Sequence, residues 1–182
     1  MPRYKRTYEG NTYFFTVVTH KRHPFLCDEQ PRRFLRETIN EVRTMRPFTI
    51  DAWVLLPDHL HSIWTLPDGD SDYSTRWGLI KAGFSKRMNK AVGRAHPTVS
   101  PSRDKHRESA YWQRRFWEHM IRGQEDFNAH MDYVHYNPVK HGLVTAPADW
   151  VHSSFHRLVK DGVYEPEWGS AEDVRLTGIG RE

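Results

Sequence analysis

The chain has 182 residues, 37% of them hydrophobic, which is the size of one domain with a sizeable core and some polar segments. Its formal charge of +4 favours a polyanionic partner. A single cysteine, Cys27, excludes an internal disulfide and a four-cysteine zinc site, and no apolar run approaches the ~20 residues of a membrane span.

Residues 1–8 place Arg3, Lys5 and Arg6 among Tyr4 and Tyr8, an arm able to reach a DNA backbone. No apolar stretch follows them, so a secretory signal is not expected and a cytoplasmic location is. Residues 11–19 are β-branched and aromatic and predict a buried strand. From Asp28 to Met45, Phe34, Leu35, Ile39, Val42 and Met45 recur at helical spacing, with Asp28 as a cap and Pro31 in the first turn.

Two strands, 47–56 and 60–66, follow, joined by a tight turn at Pro57-Asp58. Side chains of a strand alternate between faces, so His59 and His61 point one way and Leu60 the other. Two imidazoles side by side on a rigid strand can hold a divalent metal. With twelve histidines in the chain a chance His-x-His is unsurprising, and the pair alone reads first as two polar residues on a half-exposed strand.

Ser74 predicts the start of a helix running to about Ala91, striped by Trp77, Ile80, Phe84 and Met88. Its other face carries Arg76, Lys81, Lys86, Arg87 and Lys90, a solvated surface or a phosphate track. Residues 92–110 are rich in Gly, Pro, Ser and charge and read as a long loop. Just beyond, Trp112, Phe116 and Trp117 interleave with Arg114 and Arg115, the combination in which bases stack and phosphates pair on single strands. At least one of these tryptophans is expected in the core.

Gln124 to Lys140 predicts a helix with Phe127, Met131 and Val134 inward and Gly142 as its terminator. Residues four apart share a helix face, so Tyr133 and Asn137 present a phenol and an amide oxygen together, whereas Tyr136 points about 100° from Asn137 and is the reserve nucleophile. Trp150 to Lys160 predicts a short helix or turn, with His152 and His156 as a surface pair. From Asp161 onward six acids face two arginines, so the body, residues 1–160, carries +8 and the last 22 residues read as an acidic tail, expected to fold over a DNA groove and restrain activity. The order strand, helix, strand, strand, helix, strand, helix predicts an α+β fold with helices packed on an antiparallel sheet.

A phenol is a poor nucleophile at its ordinary pKa of ~10, but a metal beside it can polarise a phosphate oxygen and stabilise the charge of attack. Three chemistries remain open on these residues: strand cleavage by tyrosine, a hydrolytic metalloenzyme with a water nucleophile, and a non-catalytic binding protein for structured single-stranded nucleic acid.

The run Pro47 to Pro67 resembles the HUH signature of bacterial REP-associated tyrosine transposases. Three further stretches resemble the same family, in order and spacing: Tyr13 to Val17, Trp112 to His119, and Asp132 to Gly142. The resemblance covers about residues 4–160; residues 92–110 and the last twenty fit no part of it. It implies a ferredoxin-like HUH endonuclease domain that cuts single-stranded DNA near REP hairpins (REP/BIME type) and transfers strands through a 5′-phosphotyrosine. His59 and His61 match the metal ligands, Asn137 the third ligand and Tyr133 the nucleophile, with Mg²⁺ or Mn²⁺ as the ion. Arg3, Arg6, Arg76, Lys81, Arg114, Arg115 and Trp117 are the expected DNA contacts. A monomer associated with the bacterial nucleoid is expected, and with no Gly-rich phosphate loop in the sequence, no nucleotide cofactor.

Overall fold

A computed structural model describes residues 11–92 and 110–170. Four antiparallel strands, β1 (Thr12–Val18), β2 (Thr49–Leu55), β3 (His59–Thr65) and β4 (Trp117–Met120), lie in the order β2-β3-β1-β4. The helices are α1 (Glu29–Met45), α2 (Tyr73–Val92), α3 (Gln124–Lys140) and the short α4 (Phe155–Lys160). This is the expected α+β arrangement, with the two central strands, β1 and β3, buried nearly throughout. Strand β3 begins at His59, so both histidines belong to it.

Alternation along the strands divides the core in two. Tyr13, Phe15, Val17, Leu60 and Trp64 face α1 and α2, meeting Leu35, Ile39 and Val42 of one and Trp77, Ile80 and Phe84 of the other. Each of these side chains contributes about 2 kcal/mol by leaving water. Trp64 stacks on Trp77 with ring centroids 4.2 Å apart, and Trp112 is the buried tryptophan expected near the basic segment. Phe14, Val54 and Ile63 face the opposite way, against Phe127, Met131, Tyr133 and Val134 of α3. His59 and His61 share parity with Ile63, so the strand presents them to the tyrosine helix.

Helix α3 ends where expected. Pro138 occupies its last turn, and Gly142, at φ 66°, takes the left-handed conformation that closes the helix, with Leu143 N–H donating to Pro138 O. On its other side, His135 is buried between Met131 O and Ser154 Oγ; burial pushes its imidazole down to about 3, so it packs as a neutral ring. Residues 161–170 differ from the expected tail. Val163 and Tyr164 are buried, and the Tyr164 hydroxyl donates to Asp132 Oδ1 at 3.0 Å. The body therefore extends past residue 160; residues 171–182 of the expected tail, and 93–109 of the loop expected over 92–110, lie outside the described residues.

Arg76 is the clearest departure from expectation. Expected on a phosphate track, it is 2% exposed. Its guanidinium forks onto Asp70 at 2.7 and 3.2 Å and donates to the carbonyls of Arg46, Pro47 and Asp72. Those groups converge from the end of α1 and from the loop before α2, so Arg76 locks the two together and has no face for DNA. Replacing it by Ala removes these hydrogen bonds and leaves a gap where the buried Arg76 side chain packs; a loss of about 2 kcal/mol in unfolding free energy is expected in a denaturant titration. Among the described residues, no helix is long and apolar enough to cross a membrane.

Candidate active site

Both histidines at the start of β3 are buried and held at Nδ1. Asp58, in the β2–β3 turn, bonds His59 Nδ1 through Oδ1 at 2.6 Å and receives Arg22 Nη1 on Oδ2 at 3.0 Å. Burial pushes the Asp58 carboxyl up, but His59 and Arg22 outweigh it and hold the group below the usual carboxylate range. An ionised carboxylate accepts, so His59 carries its proton on Nδ1 and turns the Nε2 lone pair away from Asp58. His61 Nδ1 is 2.9 Å from Thr16 Oγ1, its cross-strand partner on β1. The two rings have centroids 4.9 Å apart and cross at 82°, and both Nε2 atoms are buried.

Helix α3 supplies the opposite wall. Tyr133, Asn137 and His141 are spaced by four, so they line one face. The Tyr133 ring meets that of His61 at 5.2 Å, and the His141 ring meets that of His59 at 5.1 Å. Asn137 lies between them in sequence and is fully buried, its Oδ1 included. Two imidazole nitrogens suit a borderline divalent ion and the amide oxygen a harder one, a mixed neutral set closer to Mn²⁺ than to Mg²⁺, with coordination positions left for a phosphate. The residues present fit the ion that the sequence implies.

Lys140 was not foreseen. It lies seven residues, two helical turns, beyond Tyr133, and its Nζ donates to the Tyr133 hydroxyl at 3.3 Å while lying 4.9 Å from the ring centre. Tyr133 is 1% exposed whereas Lys140 is exposed, so the ammonium covers the phenol on the solvent side. The ammonium stands where negative charge would develop on the phenol oxygen during attack, and a phosphate would draw the same ammonium aside.

Tyr136 turns elsewhere, its ring 6.3 Å from that of Trp168. Arg114 and Arg115 are exposed just before the edge strand β4, and Trp117 is half-buried, edge-on to Phe14 at 5.5 Å. Lys81 donates to Gln113 O at 2.9 Å and lies 5.2 Å from the Phe116 ring centre; burial pushes its ammonium down to about 8. Arg3 and Arg6 lie outside the described residues. His152 accepts from Arg32, 3.3 Å away, and His156 is exposed; neither belongs to this site.

No protein-family model matches the chain. It is similar to a REP-associated tyrosine transposase of Escherichia coli K12, 44% identical over 92% of this chain and 91% of the relative. A Haemophilus influenzae protein described as the same kind of transposase is 39% identical over 98% and 99%. Among solved structures, a REP-associated tyrosine transposase bound to a REP hairpin superposes with a TM-score of 0.76 at 43% identity, over all of this chain and 98% of that one.

Proposed function

Since the chain belongs to the REP-associated tyrosine transposases, enzymes that cleave and rejoin DNA, we propose that it cuts and rejoins single-stranded DNA beside REP-type hairpins with Tyr133 as nucleophile. The observation that carries this reading is the Tyr133 ring packed on His61 while Lys140 holds its hydroxyl. His59, His61 and Asn137 would hold Mg²⁺ or Mn²⁺, which supplies Lewis-acid polarisation of a phosphate oxygen.

The remaining steps belong to the protein. Lys140 holds the Tyr133 hydroxyl until the entering phosphate draws the ammonium to its own oxygens, which opens Tyr133 to phosphorus. The Oη–P bond forms as the P–O3′ bond breaks. Tyr133 gives up its phenolic proton to solvent as it attacks, and the departing 3′-oxygen takes up a proton from solvent, leaving a 5′-phosphotyrosine and a free 3′-hydroxyl. Attack by a different 3′-hydroxyl reverses the step and joins new ends, so the bond energy is kept and no nucleotide cofactor is needed. Arg114, Arg115 and Trp117 offer a cationic and aromatic rim for the strand, with Lys81 behind it and Arg3 and Arg6 as an arm. The protein would act as a monomer on the bacterial nucleoid.

A labelled single strand carrying a REP-type hairpin, mixed with protein and Mn²⁺, is expected to give a covalent adduct on a denaturing gel. Tight binding with no adduct in Mn²⁺ or Mg²⁺ would favour the binding-protein reading. Replacing Lys140 by Met is expected to slow adduct formation about tenfold or more, the worth of a charge-assisted hydrogen bond. The rate is read in single-turnover measurements. A Lys140→Met protein with the wild-type rate would remove Lys140 from the mechanism.

A further inference from the structure

Strand β4 and the first turns of α3 hold a second cluster, on the far side of Phe14 from His61. The Phe14 ring lies 5.5 Å from His61 and 4.8 Å from His130. Asp126 stands at the centre of the cluster. Its Oδ2 receives His119 Nε2 at 2.8 Å and the Arg122 N–H at 2.7 Å; its Oδ1 lies 2.9 Å from His130 Nδ1, which also bonds Asp126 O at 2.8 Å. One nitrogen of each histidine and one carboxylate oxygen fall within 4.8 Å of one another.

We propose that His119, Asp126 and His130 bind a transition-metal ion of the zinc class, separate from the site at His59 and His61, and that this ion clamps β4 to the helix carrying Tyr133. Two imidazoles and a carboxylate form the donor set that borderline ions prefer, and the carboxylate supplies a negative charge absent from His59, His61 and Asn137. Asp126 and His130 are four apart on α3, on one face, while His119 arrives from the neighbouring strand. His130 is buried, whereas His119 and Asp126 are part-exposed, so an ion has an entry path and room for a water as fourth ligand.

The charges also favour capture. Burial pushes the Asp126 carboxyl up, but Arg122, His119 and His130 outweigh it and keep the group ionised; burial pushes the His130 imidazole below its ordinary value, so it is neutral near pH 7. The His119 and His130 rings stack at 4.6 Å and 13°, joined through the carboxylate. An ion takes the place of the hydrogens shared in these contacts, each neutral imidazole carrying its hydrogen on the other ring nitrogen. His130 precedes Tyr133 by three residues, so the clamp fixes the turn of α3 on which the nucleophile stands.

The test uses a His59→Ala, His61→Ala background, in which only the second cluster can load. Titration with Co²⁺, followed by its visible d–d absorption, is expected to show one equivalent bound. Adding His119→Ala or Asp126→Asn should weaken that binding about a hundredfold or more. Zn²⁺ should raise the melting temperature of the background protein and not of the His119→Ala derivative. If the background protein does not fold, the wild-type chain serves: its Co²⁺ stoichiometry should fall from two to one on His119→Ala. No Co²⁺ uptake in the background, or uptake unchanged by His119→Ala, overturns the second site and shows a hydrogen-bonded clip instead. Neither result touches the reading of Tyr133, because the His59 and His61 ligands are absent or unchanged in each comparison.

Discussion

Replacing Tyr133 by Phe is expected to lower formation of the covalent DNA adduct by about 10⁴-fold or more, as removal of a nucleophile does elsewhere. Hairpin affinity should stay within about twofold of wild type. Phe keeps the edge-on contacts with Phe14 and His61 and gives up only the oxygen that Lys140 addresses, so stability should change by about 1 kcal/mol or less. The measurement is a denaturing gel with labelled hairpin DNA, followed by mass spectrometry of the modified peptide. Tyr136→Phe is the matched control, since that ring lies against Trp168, away from the histidines, and its adduct should survive. An adduct that persists in Tyr133→Phe and vanishes in Tyr136→Phe would move the nucleophile by one helical step. Cleavage that persists in Tyr133→Phe with no adduct at all would mean a water nucleophile, and the protein would be a hydrolase.

What could be read from the sequence about this site was its periodic part. Alternation put His59 and His61 on one face and Leu60 in the other layer, and helical spacing put Tyr133 and Asn137 together; both rules concern neighbours a few residues apart. What failed depends on chain segments that meet only in three dimensions. Asp58 reads as a turn residue because turns favour Asp, and nothing local says that its carboxylate reaches His59 on one side and Arg22 on the other. Arg76 reads as part of a basic face because a helical wheel cannot see the loop from Asp70 and the end of α1 closing over it. The segment after residue 160 reads as an acidic tail lying over a DNA groove because its acids dominate its composition, yet Tyr164 and Trp168 pack against each other and against Phe155. The His119–Asp126–His130 cluster joins a strand to a helix across a turn at Gly123, where φ is 102°, and neither periodicity spans such a join.

Replacing His61 by Ala should separate catalysis from recognition. Loss of an outer hydrogen-bond partner of a ligand weakens metal sites ten- to a hundredfold, and loss of the ligand itself does more, so cleavage should fall by about 10³-fold or more at any practical Mn²⁺ concentration. Affinity for the REP-type hairpin should hold, because His61 is fully buried beneath Tyr133 and offers no surface to a duplex or a loop. The cavity left beside Phe14 and Tyr133 is expected to take roughly 1–3 kcal/mol of stability, which circular dichroism and a melting curve would register without loss of fold. Asp58→Asn should give the intermediate case, a ten- to hundredfold fall that rising Mn²⁺ recovers, since it disturbs the His59 tautomer without removing a ligand. A graded series, with binding flat and cleavage falling from wild type through Asp58→Asn to His61→Ala, is the signature of an ion held at Nε2 of both histidines. Cleavage and binding falling together would instead make His61 part of the DNA-contacting framework. Cleavage untouched by His61→Ala would remove the metal from this site and leave Tyr133 to be activated by Lys140 alone.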